Sequence, residues 1–480
     1  MSILYDVRDM LRRSSCLLLM LLVAACTRNA LIRPYLTDHC EQLTPMSPVE
    51  AAECSRRNSI ETHDGFKLGF IEFDDQGWFY DHDQMHRLLD DLNQVATEDE
   101  RDLLLVMFVH GWRHNAHYND PNVQAFRETL ALLANAEGLK KGGAERRAVY
   151  GIYVGWRGLS LKGSALWESL SFYGRKTAAD HVAKGSVREL FARLRYFVQK
   201  QNSEKRKAYD AQALGPKPPK KVRLVILGHS FGGLILYSAI SEYLMYSGIA
   251  RPKEENTKPV VPFADLVFLI NPALEASRYE PLHHLATSRH YKAGQKPVFI
   301  AVTTANDWAT RYAFPLGRWI NSALENERNN PVQKEANKNT LGHVPRYRTH
   351  TLTTCDDARS ADSDAGDPGA CGCPGWKGDH ATDQVALVAL SALEDDMRRE
   401  SLKTLAFYQH WRDPHTGRLR SGWVRHFCGG LVLRHDASNE NKDPENPFWV
   451  VYTDGSVIDG HGGFTTPQVR NFAHQILLEG

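Results

Sequence analysis

The chain has 480 residues, 42% of them hydrophobic and 24% charged, with a formal net charge of +1. That length suits one large α/β domain with insertions, or two domains. The balanced charge removes any electrostatic case for a nucleic-acid partner, and the composition is that of an ordinary folded body.

The N-terminus departs from this average. Arg8, Arg12 and Arg13 precede an apolar run at 16–25 that is too short to span a bilayer comfortably. The residues Val23-Ala24-Ala25-Cys26 resemble the lipobox of a bacterial lipoprotein signal; a plain secretory signal or an uncleaved anchor is the simpler alternative. The resemblance implies a signal peptide over 1–25, cleavage before Cys26 and lipidation of its sulfur. Thr27 in place of Asp implies, by the sorting rule of that family, the outer membrane of the cell envelope, with the protein facing the periplasm. Acyl chains on one cysteine would hold the protein at a membrane without a spanning helix.

In an oxidising periplasm Cys40, Cys54, Cys355, Cys371, Cys373 and Cys428 suffice for three disulfides. Cys40 and Cys54 are the easiest local pair, and the pairing of the other four stays open. A metal site from Cys355, Cys371, Cys373 and a histidine lacks the usual C-x₂-C spacing, so neither metal nor cofactor is expected.

In chain order, 26–63 reads as a polar tether punctuated by Pro34, Pro45 and Pro48. Residues 66–73 alternate as a strand, and 81–95 form a helix with Met85, Leu88, Leu89 and Leu92 on one face. The apolar run 103–109 is a buried strand ending in His110-Gly111-Trp112, and a helix follows over 123–137. Residues 148–154 are the next strand. The stretch 156–173 offers Trp167 and Phe172 either to the core or to a lid, with a slight lean to the lid. One amphipathic helix over 178–198 and a polar linker over 201–220 lead to the strand 222–227.

Strands at 264–270 and 297–302 end in Asn271-Pro272 and in Thr303-Thr-Ala-Asn-Asp307. From 310 to 447 no confident strand is visible. That span holds a Gly/Asp/Cys-rich loop at 355–380, a helix over 382–411 and a hairpin near 423–433. A strand at 448–453, the loop Gly460-His461-Gly462-Gly463 and a helix over 467–478 close the chain. Such alternation predicts an α/β fold with a mainly parallel twisted sheet covered by helices on both faces. Ligands of such sheets bind at the carboxyl ends of the strands.

Gly228-His229-Ser230-Phe231-Gly232 lies between a buried strand and an apolar helix, the setting of a nucleophile elbow. A serine hydroxyl attacks only when a base takes its proton and an acid holds that base. With the His-Gly loop and the strand order, 64–310 and 448–480 resemble the α/β-hydrolase superfamily. The resemblance implies Ser230 as nucleophile, Asp307 as acid and His461 as base. It also implies backbone N–H groups of Phe231 and Trp112 as the oxyanion hole, with His110 positioning that loop. Glu275 is an alternative acid position, Asp459 is too close to His461 in sequence, and His474 belongs to the final helix. The span 311–447 is then a large insertion before the last strand, capping or flanking the mouth.

The expected function is a membrane-anchored serine hydrolase that cleaves small-molecule or lipid carboxylic esters through an acyl-enzyme. Thioesters, amides and acyl transfer would use the same residues. The competing expectation is a non-catalytic envelope lipoprotein using a hydrolase-like scaffold for binding. Oligomeric state is not legible.

Overall fold

The computed structural model describes residues 30–35, 47–99, 101–138, 146–159, 165–211, 221–249, 258–321, 330–355, 411–427, 430–437, 443–463 and 466–478. The signal segment, Cys26, Cys40, Cys371, Cys373, Cys428, the loop after Cys355 and, apart from Trp411, the helix expected over 382–411 lie outside these residues.

Eleven strands form one sheet. In chain order they are β1 (Ile60–His63), β2 (Phe66–Phe73), β3 (Asp102–Val109), β4 (Arg147–Trp156), β5 (Val222–His229) and β6 (Leu266–Ile270). Then come β7 (Phe299–Thr304), β8 (His350–Thr354), β9 (Val424–Phe427), β10 (Leu431–His435) and β11 (Phe448–Thr453). The spatial order is β1-β2-β4-β3-β5-β6-β7-β11-β8-β10-β9. Pairing is parallel from β2 through to β8 and antiparallel only at the two margins, β1 on β2 and β10 on β8 and β9.

Burial on both faces explains the unbroken apolar strands. Leu103, Leu105, Met107 and Val109 enter one core, against helices His82–Glu98, Ala165–Lys184, Val187–Ala211 and Phe231–Gly248. Leu104, Val106 and Phe108 point the other way, to helices Pro121–Gly138 and Pro467–Leu478. Strand residues alternate between faces, so apolar side chains are needed at every position.

Four expectations change. The span 311–447 joins the sheet, supplying β8, β9 and β10, of which only the β9–β10 hairpin was foreseen. β8 has the sequence His-Thr-Leu-Thr-Thr, and its one aliphatic residue, Leu352, gives no apolar run to detect. Secondly, described parts of the supposed tether pack on the body. Arg33 is fully buried, bonded to Glu61 at 2.9 Å and to the carbonyl of Ala116 at 2.8 Å. Its guanidinium also lies 4.0 Å from the Phe70 ring, and residues 48–55 are a helix.

Thirdly, the single helix over 178–198 is two helices broken at Gly185-Ser186, and the second continues to Ala211 through half of the expected linker. There the backbone meets another loop, Ser186 donating to the Gly77 carbonyl at 2.7 Å. Finally, Phe172 is a core residue rather than part of a lid, while the side chain of Trp167 lies outside the described residues. Phe172 lies under the elbow, 4.8 Å from the Phe231 ring and 5.2 Å from that of Trp112.

Candidate active site

Ser230 joins β5 to the helix Phe231–Gly248 with φ 56° and ψ −121°. A non-glycine residue held there stores about 1–3 kcal/mol of backbone strain. Two glycines let the turn close. A Cβ on Gly232 would lie 2.0 Å from the Val109 carbonyl oxygen, and one on Gly111 would lie 2.7 Å from the Ser230 Cβ. Backbone bonds hold the strain in place: Ser230 N–H donates to Ile270, and the Ser230 carbonyl accepts from Ala273, both at 3.0 Å.

Two side chains reach this serine from distant parts of the chain. His461 Nε2 lies 2.8 Å from Ser230 Oγ, and His461 Nδ1 lies 2.8 Å from Asp307 Oδ2. Facing a carboxylate, Nδ1 carries the proton, which leaves Nε2 to accept from the hydroxyl. Asp307 is fully buried and divides its two oxygens. Oδ1 accepts from Ala309 N at 2.9 Å and Thr310 N at 3.3 Å, capping the turn that follows, while Oδ2 takes His461 and the Thr310 hydroxyl. A cap and an orienting acid are thus one residue. Burial alone would raise the Asp307 carboxyl, but His461 and Thr310 outweigh it and hold it below its ordinary value.

No family model, curated protein or solved structure matches the chain.

The histidine loop is fastened by residues that sequence reasoning passed over. Asn271, with φ 43°, donates from Nδ2 to the carbonyls of His461 at 3.1 Å and Gly460 at 3.3 Å. His229 Nε2 donates to the same His461 carbonyl at 2.9 Å. Thr304 Oγ1 donates to the Ile458 carbonyl at 2.8 Å, and the side-chain Oδ1 of Asn306 accepts from Gly460 N at 3.2 Å. Behind the acid, the single Thr310 hydroxyl proton goes to Asp307, so His343 Nε2, 3.1 Å away, is the donor to Thr310 Oγ1. The one visible signal for this set was polar residues just after apolar strands.

Phe231 follows the serine directly, and Trp112 follows Gly111, where a Cβ would lie 2.7 Å from that of Ser230. Phe231 opens the helix, where the first N–H groups have no intrahelical acceptor. His110 is buried, and the Trp156 N–H donates to its Nε2 at 3.0 Å, so Nδ1 holds the proton and donates to the Gly111 carbonyl at 2.9 Å. Across a trans peptide the Trp112 N–H points away from that carbonyl, so His110 fixes its direction. Burial pushes His110 down to about 4, keeping it neutral.

Other expectations separate clearly. Glu275 is bonded to Lys176 at 2.8 Å and Arg278 at 2.7 Å, while Asp459 accepts from Asn306 at 2.8 Å. His461 takes its carboxylate bond from Asp307 instead. His474 lies on the final helix. Cys54 and Cys355 are each in a disulfide. Among the described residues no group of His, Cys, Asp and Glu could hold a metal ion, and no helix is long and apolar enough to cross a membrane.

Ser230 has no exposed surface, whereas the His461 side chain is 23% exposed. A cleft of about 590 Å³ is lined by Ala30, Arg113, His114, Tyr118, Trp156 and Arg157 among others. Neither Ser230 nor His461 lines it.

Proposed function

We propose that the chain is a serine hydrolase of the α/β-hydrolase type, acting on carboxylic esters and anchored to the cell envelope through a lipidated Cys26. The observation that carries this is the unbroken relay Asp307–His461–Ser230, two hydrogen bonds of 2.8 Å each. Nucleophile, acid and base follow β5, β7 and β11 in that chain order, as in the α/β-hydrolases.

In this mechanism Ser230 Oγ attacks the ester carbonyl carbon while its proton passes to His461 Nε2. The negative charge moves to the carbonyl oxygen, where the N–H groups of Phe231 and Trp112 receive it. The tetrahedral adduct collapses, the alcohol leaves with the proton from Nε2, and an acyl-serine remains. Water then attacks that acyl carbon, giving its proton to Nε2; collapse releases the carboxylic acid and returns the proton to Ser230. Asp307, held ionised, stabilises the imidazolium in both halves.

One observation favours the scaffold alternative, namely the complete burial of Ser230. Hydrolysis of nitrophenyl esters of graded acyl length separates the two. Turnover that disappears in Ser230→Ala supports the hydrolase and reports pocket depth. Folded wild-type protein that turns over none of the esters favours the scaffold.

A further inference from the structure

Directly after Asp307 the chain turns into a π-helical turn, Ala309–Ala313, and then the helix Phe314–Asn321. Ala309, Thr310 and Phe314 face inward and are buried. Trp308, Tyr312, Leu316 and Trp319 recur at steps of four, four and three residues, the spacing of one helix face. They are 63%, 57%, 57% and 63% exposed, among the most exposed large apolar side chains described. Four such residues on one face exceed the scattered exposure usual on a soluble surface. Tryptophan and tyrosine, apolar bodies with a polar tip, suit the boundary between water and lipid.

This stripe occupies the same edge of the sheet as the serine. It follows β7, two strands from β5, or about 10 Å across the sheet. The described chain begins at the same edge: Ala30 lines the cleft with Arg113, His114, Trp156 and Arg157, which follow or end β3 and β4. Cys26 precedes Ala30 by four residues, which span at most about 14 Å even when fully extended. An acyl chain on that cysteine therefore brings this rim close to the bilayer. The cleft beside Ala30 adds Arg57 and Arg113, a side-chain type that favours phosphate head groups, while Arg56 is paired with Glu53 and Arg157 with Asp75.

We propose that the carboxyl rim of the sheet is a bilayer-docking face. Trp308, Tyr312, Leu316 and Trp319 enter the head-group region of a phospholipid membrane beside the Ser230 site. The inference rests on the acylation of Cys26 and deepens the hydrolase assignment: the ester would come from a lipid in the same bilayer, presented at the rim.

The test uses the full-length acylated protein reconstituted in vesicles of phosphatidylcholine and phosphatidylglycerol containing doxyl-labelled phosphatidylcholine. Tryptophan emission is compared with that of W308F/W319F, which keeps the stripe apolar but removes its fluorophores. The expected result is quenching of the wild type by the doxyl lipid, with at least half of the quenched amplitude lost in the double variant. Absent quenching, or equal amplitudes in the two proteins, overturns the proposal. Shielding of Trp308 and Trp319 from aqueous iodide without vesicles also overturns it, since the chain itself or a second copy then covers the stripe. An intact mass lacking acyl additions removes the tether and overturns it too. The quenching readout needs no turnover, so failure of the hydrolase assignment is read independently, from the nitrophenyl esters.

Discussion

The side-chain amide of Asn271 donates to the backbone carbonyl of His461 at 3.1 Å, while its oxygen accepts from Thr304 N at the same distance. One residue after β6 thus ties the loop carrying the base to the end of β7. Asn271 sits at φ 43°, a conformation that glycine adopts freely. Asn271→Gly therefore removes the amide without adding strain. We expect kcat on a short nitrophenyl ester to fall by about tenfold with little change in KM, since misplaced catalytic groups lose transition-state stabilisation. Steady-state kinetics with a parallel melting curve check this.

Ser230→Ala and His461→Ala are each expected to abolish nearly all ester turnover. Asp307→Asn should cost roughly 10³–10⁴-fold, because an amide cannot hold the Nδ1–H tautomer. Glu275→Gln should stay within a few-fold of wild type in kcat, although it weakens the pairing with Lys176, Arg278 and Arg318 and lowers stability. A dead Glu275→Gln beside an active Asp307→Asn would move the acid to Glu275.

Thr310→Val deletes the hydroxyl between Asp307 and His343 while preserving shape. The buried carboxylate loses one donor and His343 loses its acceptor, a cost of about 1–3 kcal/mol. Turnover should fall about tenfold, and Thr310→Ser should restore most of it. Urea denaturation and kinetics of the three proteins make the comparison.

Acid should destabilise the fold before its carboxylates titrate. Burial lowers His110 and His343 to about 4 and His229 well below its ordinary value. An unfolded histidine titrates near 6.5. Between these values the unfolded chain binds more protons, so stability is complete above about pH 6.5 and declines as pH falls towards 4. For fully buried His110 the difference amounts to about 3 kcal/mol. Asp307, depressed by its partners, acts in a lower window: its contribution is present above about pH 4 and is lost as pH falls through its folded-state value. Unfolding free energies from pH 7.5 to 4.5 should show the decline, and His110→Asn should flatten its slope by about one proton.

The central strands were legible because burial on both faces demands apolar residues at every position, as in Leu103–Val109 and Leu224–Leu227. The elbow was legible because glycines with a serine between strand and helix leave a local signature. β8 was not, since a strand that presents Thr351, Thr353 and Thr354 has no hydrophobic period. Arg33 read as tether because its burial depends on Glu61 and Ala116, neither of them near it in sequence. Asn271, His229, Thr310 and His343 were missed for the same reason. Each acts through a hydrogen bond to a distant loop or a neighbouring side chain, and no local pattern announces such a bond.

Reaction with a fluorophosphonate, followed by peptide mapping, addresses the relay most directly. The probe should form one adduct, on Ser230, and the adduct should vanish in Ser230→Ala and in His461→Ala. An adduct on another residue, or folded wild-type protein that takes up no probe, would contradict the account.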